Sequence, residues 1–285
     1  MGRTAVAFCP GHISGWFKRA DPKNGVKGSV GGGIVVNKGV TSEVRESDAM
    51  SVQALKKEAD GSISSLFSGS PPIEYAFEKL GILAEVITTT RLPAGSGFGL
   101  SAASLLSSLS AANSLFDLGL DNAGIAKIAH ESEIKFNSGL GDVAALTGGG
   151  YICRQKPGIM GDIIRNYDMN DSISVISFGP LPTESILGNP KAMEKISSAF
   201  REVCPKTPAE FFEISREFAE NSGLISERIR SVLLKCDQNN IPASMTMLGE
   251  GVFAYGKNAE RILAGFGEVY NLNMSKYGFE TRRND

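Results

Sequence analysis

Hydrophobic and polar positions along the chain predict a mixed α and β protein. Thr4 to Cys9 and Ile82 to Thr90 are dense in apolar or β-branched residues, which is typical of buried strands. Small and apolar helix formers run from Leu100 to Phe116 and predict a long buried helix, and Asn122 to Phe136 predicts the next one. Ser70-Pro71-Pro72 followed by Gly81 predicts a capped helix that ends at Leu80.

The N-terminal third is predicted to contain strands separated by glycine-rich loops. A Pro-Gly pair usually stops a strand, so residues 10–17 are predicted to be a loop that begins at Pro10. Ile34 to Val36 and Val40 to Arg45 are predicted as two strands of a hairpin. Residues 48–70 are polar and rich in serine, and no element is predicted for them.

A second lobe is predicted from a strand at Ile173 to Phe178. Residues 156–171 are expected to be a hinge or lid between the lobes. Thr207-Pro208-Ala209-Glu210 has the form of a capping box with proline at the first helical position, and it predicts an amphipathic helix to about Asn221. At 285 residues the chain is long enough for two domains, with expected boundaries 1–165 and 166–285.

Composition and charge exclude several classes of partner. Lys and Arg number 29 against 31 Asp and Glu, so neither nucleic acid nor an anionic membrane is an expected partner. No run of 18 apolar residues occurs and the N-terminus lacks a signal-peptide pattern, which predicts a cytoplasmic protein. The four cysteines are scattered and only two histidines occur, so neither a zinc site nor a disulfide framework is expected.

A glycine-rich stretch that leads into the predicted long helix has the layout of an anion site. Gly95, Gly97 and Gly99 allow backbone N–H groups to approach a bulky anion, and the helix directs its positive dipole end to the same place. The P-loop pattern fails because no Lys follows the glycines. The dinucleotide fingerprint also fits poorly, since this stretch does not follow the first strand of the chain.

The stretch Pro93 to Ala103 resembles the second motif of the GHMP kinases, a superfamily that includes galactokinase, homoserine kinase and mevalonate kinase. Phe98 and Leu100 depart from the usual Gly-Leu-Gly-Ser-Ser, whereas Ser101 keeps the second serine. The resemblance implies an α+β fold of two lobes, an N-terminal α/β lobe with the ATP site and a C-terminal ferredoxin-like lobe. It implies that ATP is bound by Pro93, Ala94, Gly95, Ser96, Gly97, Phe98, Gly99, Leu100, Ser101 and Ala102.

Two further stretches carry the resemblance. Pro10-Gly11-His12-Ile13-Ser14-Gly15 is similar to the first GHMP motif with His12 in place of the usual Lys or Arg, and this form resembles the archaeal pantoate kinases. Ala243 to Ala254 resembles a degenerate third motif, which supports the phosphate site in the family. The resemblance implies substrate contacts at His12, Ser14 and Thr183.

The same resemblance implies a magnesium site and a catalytic base. An Ala-x-x-x-Glu spacing counted from Ala129 makes Glu133 the metal ligand, together with Ser101. Glu131 is an alternative, because the turn that follows is often one residue shorter in the family. The matching base is Asp142, at the end of a glycine turn.

The implied activity is transfer of phosphate from ATP, with Mg²⁺, to the small molecule pantoate, giving 4-phosphopantoate for coenzyme A biosynthesis. The substrate carboxylate requires a fixed donor or cation, and His12, Ser14, Lys18, Arg19 and Arg154 are candidates. Two alternatives stay open: a GHMP kinase for another hydroxy acid or isoprenoid precursor such as mevalonate or homoserine, and a catalytically inactive nucleotide sensor. The oligomeric state is open as well, with a homodimer as one alternative.

Overall fold

The computed structural model describes residues 2–20, 27–136, 138, 141–159, 161–181 and 189–280. In these residues the first seven strands form one sheet and the last four form another. The strands are β1 Thr4–Arg19, β2 Ser29–Glu46, β3 Ser51–Lys57, β4 Ile63–Ser68, β5 Ala84–Thr90, β6 Tyr151–Arg154, β7 Ile163–Asn166, β8 Ile173–Pro180, β9 Ala243–Met245, β10 Gly249–Tyr255 and β11 Val269–Leu272. The helices are α1 Pro71–Leu80, α2 Leu100–Leu115, α3 Asn122–Phe136, α4 Asp142–Leu146, α5 Pro190–Ala199, α6 Pro208–Ser222, α7 Glu227–Asp237 and α8 Ala259–Leu263.

The long strand β2 is the centre of the first sheet. Strand β1 pairs antiparallel along one edge of it. The other edge pairs with β5 near the C-terminal end of β2 and with β6 near its N-terminal end. Strands β3 and β4 extend the sheet beyond β5, and β7 extends it beyond β6. Helix α2 packs against β1 and β2, so the residues that follow the glycine-rich stretch lie on this central pair.

The predicted loop after Pro10 is wrong, because β1 continues to Arg19. Register shifts at Pro10/Gly11 and between Ser14 and Trp16 show that the strand is bulged rather than ended. A bulge tolerates proline because the missing N–H is not needed in the ladder there. The predicted hairpin is also wrong, since Ile34 to Val36 and Val40 to Arg45 belong to the single strand β2.

Two polar segments carry strands that the sequence pattern does not predict. Residues 48–70 contain β3 and the edge strand β4, in which Ile63 and Phe67 are exposed. An edge strand with few buried residues lacks the alternation that identifies a strand, which explains the missed element. The expected hinge at 156–171 contains the edge strand β7, and its pairing with β6 makes this segment part of the first sheet.

The second sheet confirms the ferredoxin-like lobe. Its strand order is β11-β8-β10-β9, with α5, α6 and α7 between β8 and β9 and with α8 between β10 and β11. This is the βαββαβ arrangement with two split units. The expected domain boundary at 165/166 falls before the last residue of β7, the strand that precedes the second sheet in the chain, and stays a prediction.

Local helix signals are confirmed in both lobes. Gly81 takes a left-handed conformation after α1, and its N–H donates to the carbonyls of Phe77 and Glu78. The Thr207 hydroxyl accepts from the N–H of Glu210 at the start of α6. Within the described residues, no helix is both long and apolar enough to cross a membrane.

Aromatic packing joins the outer face of β1 to the second lobe. The Trp16 ring lies 5.4 Å from Phe211 on α6, and Phe17 lies 5.9 Å from Phe218. These residues belong to one buried cluster that includes both sheets. A second cluster fills the space between the first sheet and α1 to α4. The shared cluster fixes the two lobes relative to each other, because well-packed interiors resist displacement.

Contrary to the sequence expectation, Cys153 and Cys204 form a disulfide, with Cα atoms 5.5 Å apart. Their separation of 51 residues is closed because β6 lies beside the segment that follows α5. Sequence spacing reveals no such pairing, since it depends on the packing of distant segments. Cys9 and Cys236 are buried free thiols.

Candidate active site

The glycine-rich stretch Pro93–Ala102, called here the glycine loop, turns in the left-handed region at three positions. The φ angles of Gly95, Gly97 and Gly99 are 71°, 81° and 61°, a conformation that side chains disfavour. Gly99 is the N-cap of α2. The first N–H groups of a helix have no intrahelical acceptor and carry the positive end of its dipole. The loop and the helix start are therefore suited to bind phosphate.

Side chains of the glycine loop divide between the interior and the solvent. Ser96, Phe98 and Ala102 are buried. The Ser96 hydroxyl accepts a 2.7 Å hydrogen bond from Ser177, and the Phe98 ring lies 6.3 Å from that of Tyr270. Gly95 and Ser101 are exposed. The buried members hold the loop in place, so backbone groups and the exposed members are what a ligand can reach.

The third motif supports the glycine loop from the second lobe. A Cβ atom on Gly249 would lie 2.2 Å from the carbonyl carbon of Ser96, and one on Gly97 would lie 2.9 Å from the Met247 oxygen. The backbones therefore approach each other more closely than side chains would permit. The Met247 N–H also donates to the Ser14 carbonyl, 3.1 Å away. This contact links the third motif to the first.

An apolar cavity of about 160 Å³ opens beside the glycine loop. One wall of the cavity consists of Val52, Leu55 and Phe67 from β3 and β4. The other wall consists of Gly95, Leu100 and Ser101 from the glycine loop. An apolar cleft next to an anion site suits a heterocyclic base joined to phosphates. The exposed Phe67 is part of this cleft.

His12 on β1 and Asp142 at the start of α4 form a hydrogen-bonded pair. Gly99, the N-cap of α2, lies beside both residues. The distance between His12 Nδ1 and Asp142 Oδ1 is 2.7 Å. The His12 side chain is fully buried, whereas the Asp142 side chain is 23% exposed. A Cβ atom on Gly99 would lie 3.4 Å from Asp142 Cγ, which places this carboxyl group next to the glycine loop.

Arg154 is a buried cation beside this pair. Its Nη1 donates to the Ser29 carbonyl at 2.7 Å and to the Ser29 hydroxyl at 3.0 Å. Its Nε is buried without a hydrogen-bond partner among the described residues. Burial lowers the pKa of the guanidinium, and the charges of Asp142 and Glu133 oppose that effect. A buried guanidinium with a donor to spare is suited to bind a carboxylate.

Glu133 lies on α3 with its carboxyl group buried. Burial raises the pKa of Glu133 well above its ordinary value, the charge of Asp142 raises it further, and Arg154 opposes both. Its Oε2 has no hydrogen-bond partner in the described chain and lies 3.7 Å from Nδ1 of His130. Burial also lowers the pKa of His130. The alternative Glu131 instead forms an ion pair with Lys79 on α1.

Glu133 and Ser101 fit a magnesium ion that is held mainly by phosphate oxygens and water. The described residues contain no group of three or more His, Cys, Asp or Glu arranged for a metal. Mg²⁺ in phosphoryl transfer, however, takes only one or two protein ligands and completes its shell with water and phosphate oxygens. The unpartnered, buried Oε2 of Glu133 suits that demand. Ser101 is exposed in the first turn of α2, where its hydroxyl is accessible.

The remaining predicted substrate residues do not all lie beside His12 and Asp142. Ser14 is half-buried on β1, two residues beyond His12. Lys18 and Arg19 line a separate cavity of about 300 Å³ next to Phe200 and the disulfide, and Arg154 also lines it. Thr183 lies outside the described residues. Ser29 and His130 are site residues that sequence reasoning missed; the i, i+3 spacing of His130 and Glu133 on α3 was an available signal.

Comparisons with known proteins show the family to which the chain belongs. Residues 72–150 match the family model of the GHMP kinases N terminal domain. A pantoate kinase of Methanospirillum hungatei is 42% identical over 276 residues, covering 96% of this chain and 94% of that protein. A pantoate kinase of Methanocaldococcus jannaschii is 32% identical, covering 88% and 92%.

The fold has solved counterparts as well. A structure described as a phosphotransferase related to the CoA biosynthesis pathway superposes with a TM-score of 0.80 at 24% identity, covering 98% of each chain. Together, the family model and the two curated relatives show that the protein is a small-molecule kinase of the GHMP class. Within that class, it belongs to the family of the pantoate kinases.

Proposed function

We propose that the protein transfers the γ-phosphoryl group of ATP to the primary hydroxyl of (R)-pantoate, giving 4-phosphopantoate for coenzyme A biosynthesis. The pantoate kinase relatives support this substrate. The observation that carries the proposal is the placement of a buried cation, Arg154, beside the carboxylate of Asp142. A substrate with a carboxylate at one end and a hydroxyl at the other matches those two groups.

The glycine loop is proposed to bind the phosphates of ATP through its backbone N–H groups. The apolar cavity lined by Val52, Leu55 and Phe67 would take the base. When bound, Mg²⁺ neutralises charge on the β- and γ-phosphates, and Glu133 with Ser101 would hold it. The fixed glycine turns matter because catalysis of phosphoryl transfer depends mainly on positioning and electrostatic stabilisation.

The acceptor is proposed to be oriented by two fixed groups. Arg154 would bind the pantoate carboxylate, with Ser29 holding the guanidinium in place. The primary hydroxyl would then face Asp142, which is the better-exposed member of its hydrogen-bonded pair. Asp142 can orient this hydroxyl and accept its proton as the bond to phosphorus forms. The primary hydroxyl is preferred because it is the less hindered of the two.

Purified protein with Mg²⁺ and ATP tests the proposal on a panel of pantoate, mevalonate, homoserine and sugars. ADP formation identifies the acceptor, and ³¹P and ¹H spectra of the product identify the phosphorylated carbon. We expect turnover with pantoate and phosphate at C4. Turnover only with another acceptor would favour the alternative GHMP kinase, and ATP binding without any turnover would favour the sensor.

A matched variant tests the base. Asp142→Asn keeps the shape of the side chain and an acceptor for the His12 hydrogen bond, but it cannot take a proton. We expect kcat to fall by roughly 10²–10⁴, with ATP affinity nearly unchanged. A variant of normal kcat would exclude Asp142 as the base.

Two properties of the whole protein belong to the proposal. We propose that it acts in the cytoplasm, where ATP is supplied. Disulfides seldom persist in the reducing cytoplasm. Thiol titration of freshly isolated protein therefore tests whether the Cys153–Cys204 bond exists in the cell. A homodimer is a further proposal, and sedimentation velocity tests it.

A further inference from the structure

His12 connects two parts of the proposed active site. Its backbone N–H donates to the carbonyl of Phe98 in the glycine loop, 2.9 Å away. Its ring Nδ1 lies 2.7 Å from Oδ1 of Asp142. Gly99 fits between them, since a Cβ atom there would lie 3.2 Å from both the Cβ and the carbonyl oxygen of His12. The phosphate-binding loop and the base therefore contact the same residue.

The hydrogen bonds determine which ring nitrogen carries the proton. A carboxylate can only accept, so Nδ1 of His12 must be the donor to Asp142. Nε2 is buried and has no partner among the described residues. The hydrogen bond to Asp142 therefore requires a proton on Nδ1.

The space around Nε2 is made by a glycine. A Cβ atom on Gly33 of β2 would lie 2.3 Å from His12 Nε2 and 2.4 Å from the Ile13 carbonyl oxygen. The ring is fully buried, and its Nδ1 is hydrogen-bonded to Asp142. The contacts of His12 thus differ from those of a substrate ligand.

We infer that His12 is a positioning residue, which sets the separation between the glycine loop and Asp142 and orients the base through an Nδ1–H donor. The inference rests on the proposed function, in which Asp142 receives the proton of the acceptor. It replaces the expectation that His12 contacts pantoate. Removing the ring hydrogen bond leaves Asp142 free to rotate away from the hydroxyl, and misplacement of a reacting group by about 1 Å can cost roughly a hundredfold in rate.

Matched variants separate the two ring nitrogens. The amide N–H₂ of Asn can occupy the position of Nδ1, whereas the longer Gln places its amide near Nε2. We expect His12→Ala and His12→Gln to lower kcat roughly a hundredfold, with the KM values for ATP and pantoate nearly unchanged. His12→Asn should recover most of this loss. A raised KM for pantoate with normal kcat would instead identify a substrate ligand and overturn the inference.

A double-mutant cycle with Asp142→Asn distinguishes this inference from the proposed function. If His12 acts only through the base, His12→Ala should cause little further loss when Asp142 is already Asn. An equal loss in both backgrounds would overturn the inference. A silent Asp142→Asn would refute the proposed base itself, which is a different outcome.

Spectra of the wild-type protein keep the test independent of variant folding. The chain has two histidines, so ¹⁵N-histidine spectra contain few signals, and loss of one set in His12→Asn assigns it. We expect Nδ1 of His12 to carry a proton, as its hydrogen bond to Asp142 requires. A ring protonated on Nε2 alone would lack that donor and would overturn the inference.

Discussion

The guanidinium of Arg154 lies against Gly141, the residue that precedes Asp142 in the chain. A Cβ atom on Gly141 would fall 2.1 Å from Nη1 of Arg154. The cation comes from the end of β6 and the carboxylate from the start of α4. Their close approach is possible because no side chain separates them. The same contact fixes the distance between the proposed carboxylate-binding group and the proposed base.

Gly141→Ala should therefore damage pantoate binding. The new methyl group displaces the guanidinium, and a lost hydrogen bond to a charged group corresponds to roughly tenfold or more in affinity. We expect the KM for pantoate to rise by about that factor, while the KM for ATP stays nearly constant. Gly267→Ala is the control, because a Cβ atom there contacts nothing within 4 Å. Equal pantoate KM values in both variants would exclude the contact as a binding determinant.

Glu133→Gln should separate the two candidate metal ligands. Glu133 is buried near Asp142 and Arg154, whereas Glu131 pairs with Lys79 on the surface of α1. We expect Glu133→Gln to lower kcat far more than nucleotide affinity and to raise the Mg²⁺ concentration needed for half-maximal rate. Glu131→Gln should be close to wild type in both measurements. The reverse result would move the metal ligand by two residues along α3.

The stability of the protein without nucleotide should depend on pH through Glu133. Burial raises the pKa of this group, so the folded state holds its proton at pH values where the unfolded chain has lost it. The free energy of unfolding therefore falls as the pH rises from the ordinary Glu value towards the raised one. Glu133→Gln cannot titrate and should show a shallower fall.

Thermal melts of the two proteins between about pH 4 and pH 8 measure this difference. We expect the melting temperature of wild type to drop relative to Glu133→Gln as the pH rises. Added Mg²⁺ and nucleotide should reduce the drop if the metal stabilises the carboxylate. Parallel melting curves would show that the carboxyl group does not keep its proton.

Gly97→Ala should disturb the glycine loop beyond ordinary backbone strain. Gly119→Ala is the control, because Gly119 has a φ of 67° and a Cβ atom there would have no neighbour within 4 Å. Alanine in the left-handed region costs roughly 1 kcal/mol at either position. At Gly97 the methyl group also collides with the Met247 oxygen. We expect both variants to lose stability, and only Gly97→Ala to lose ATP affinity in calorimetry. Unchanged ATP affinity in Gly97→Ala would argue against the loop as the phosphate site.

Local interactions made much of this protein predictable from its sequence. The helix after the glycine loop, the Gly81 stop after α1 and the Thr207 cap of α6 depend on contacts within a few residues, and the structure confirms them. The glycine loop is similar in kind, because backbone turns at Gly95, Gly97 and Gly99 are set largely by the residues themselves. The motif resemblance identified the superfamily and the ferredoxin-like second lobe, and the comparisons and the fold confirm both.

Only the tertiary structure decided which groups meet. His12 and Asp142 are 130 residues apart, and Ser29 and Arg154 are 125 apart, so no local pattern pairs them. The continuation of β1 through Pro10 depends on its partner β2, and the edge strand β4 depends on β3. The disulfide between Cys153 and Cys204 likewise follows from packing. The sequence by itself determined the local elements and the chemistry available, because short-range sterics and hydrogen bonds specify these. Burial and long-range pairing decided that His12 faces Asp142 and that Arg154 is a buried cation beside it.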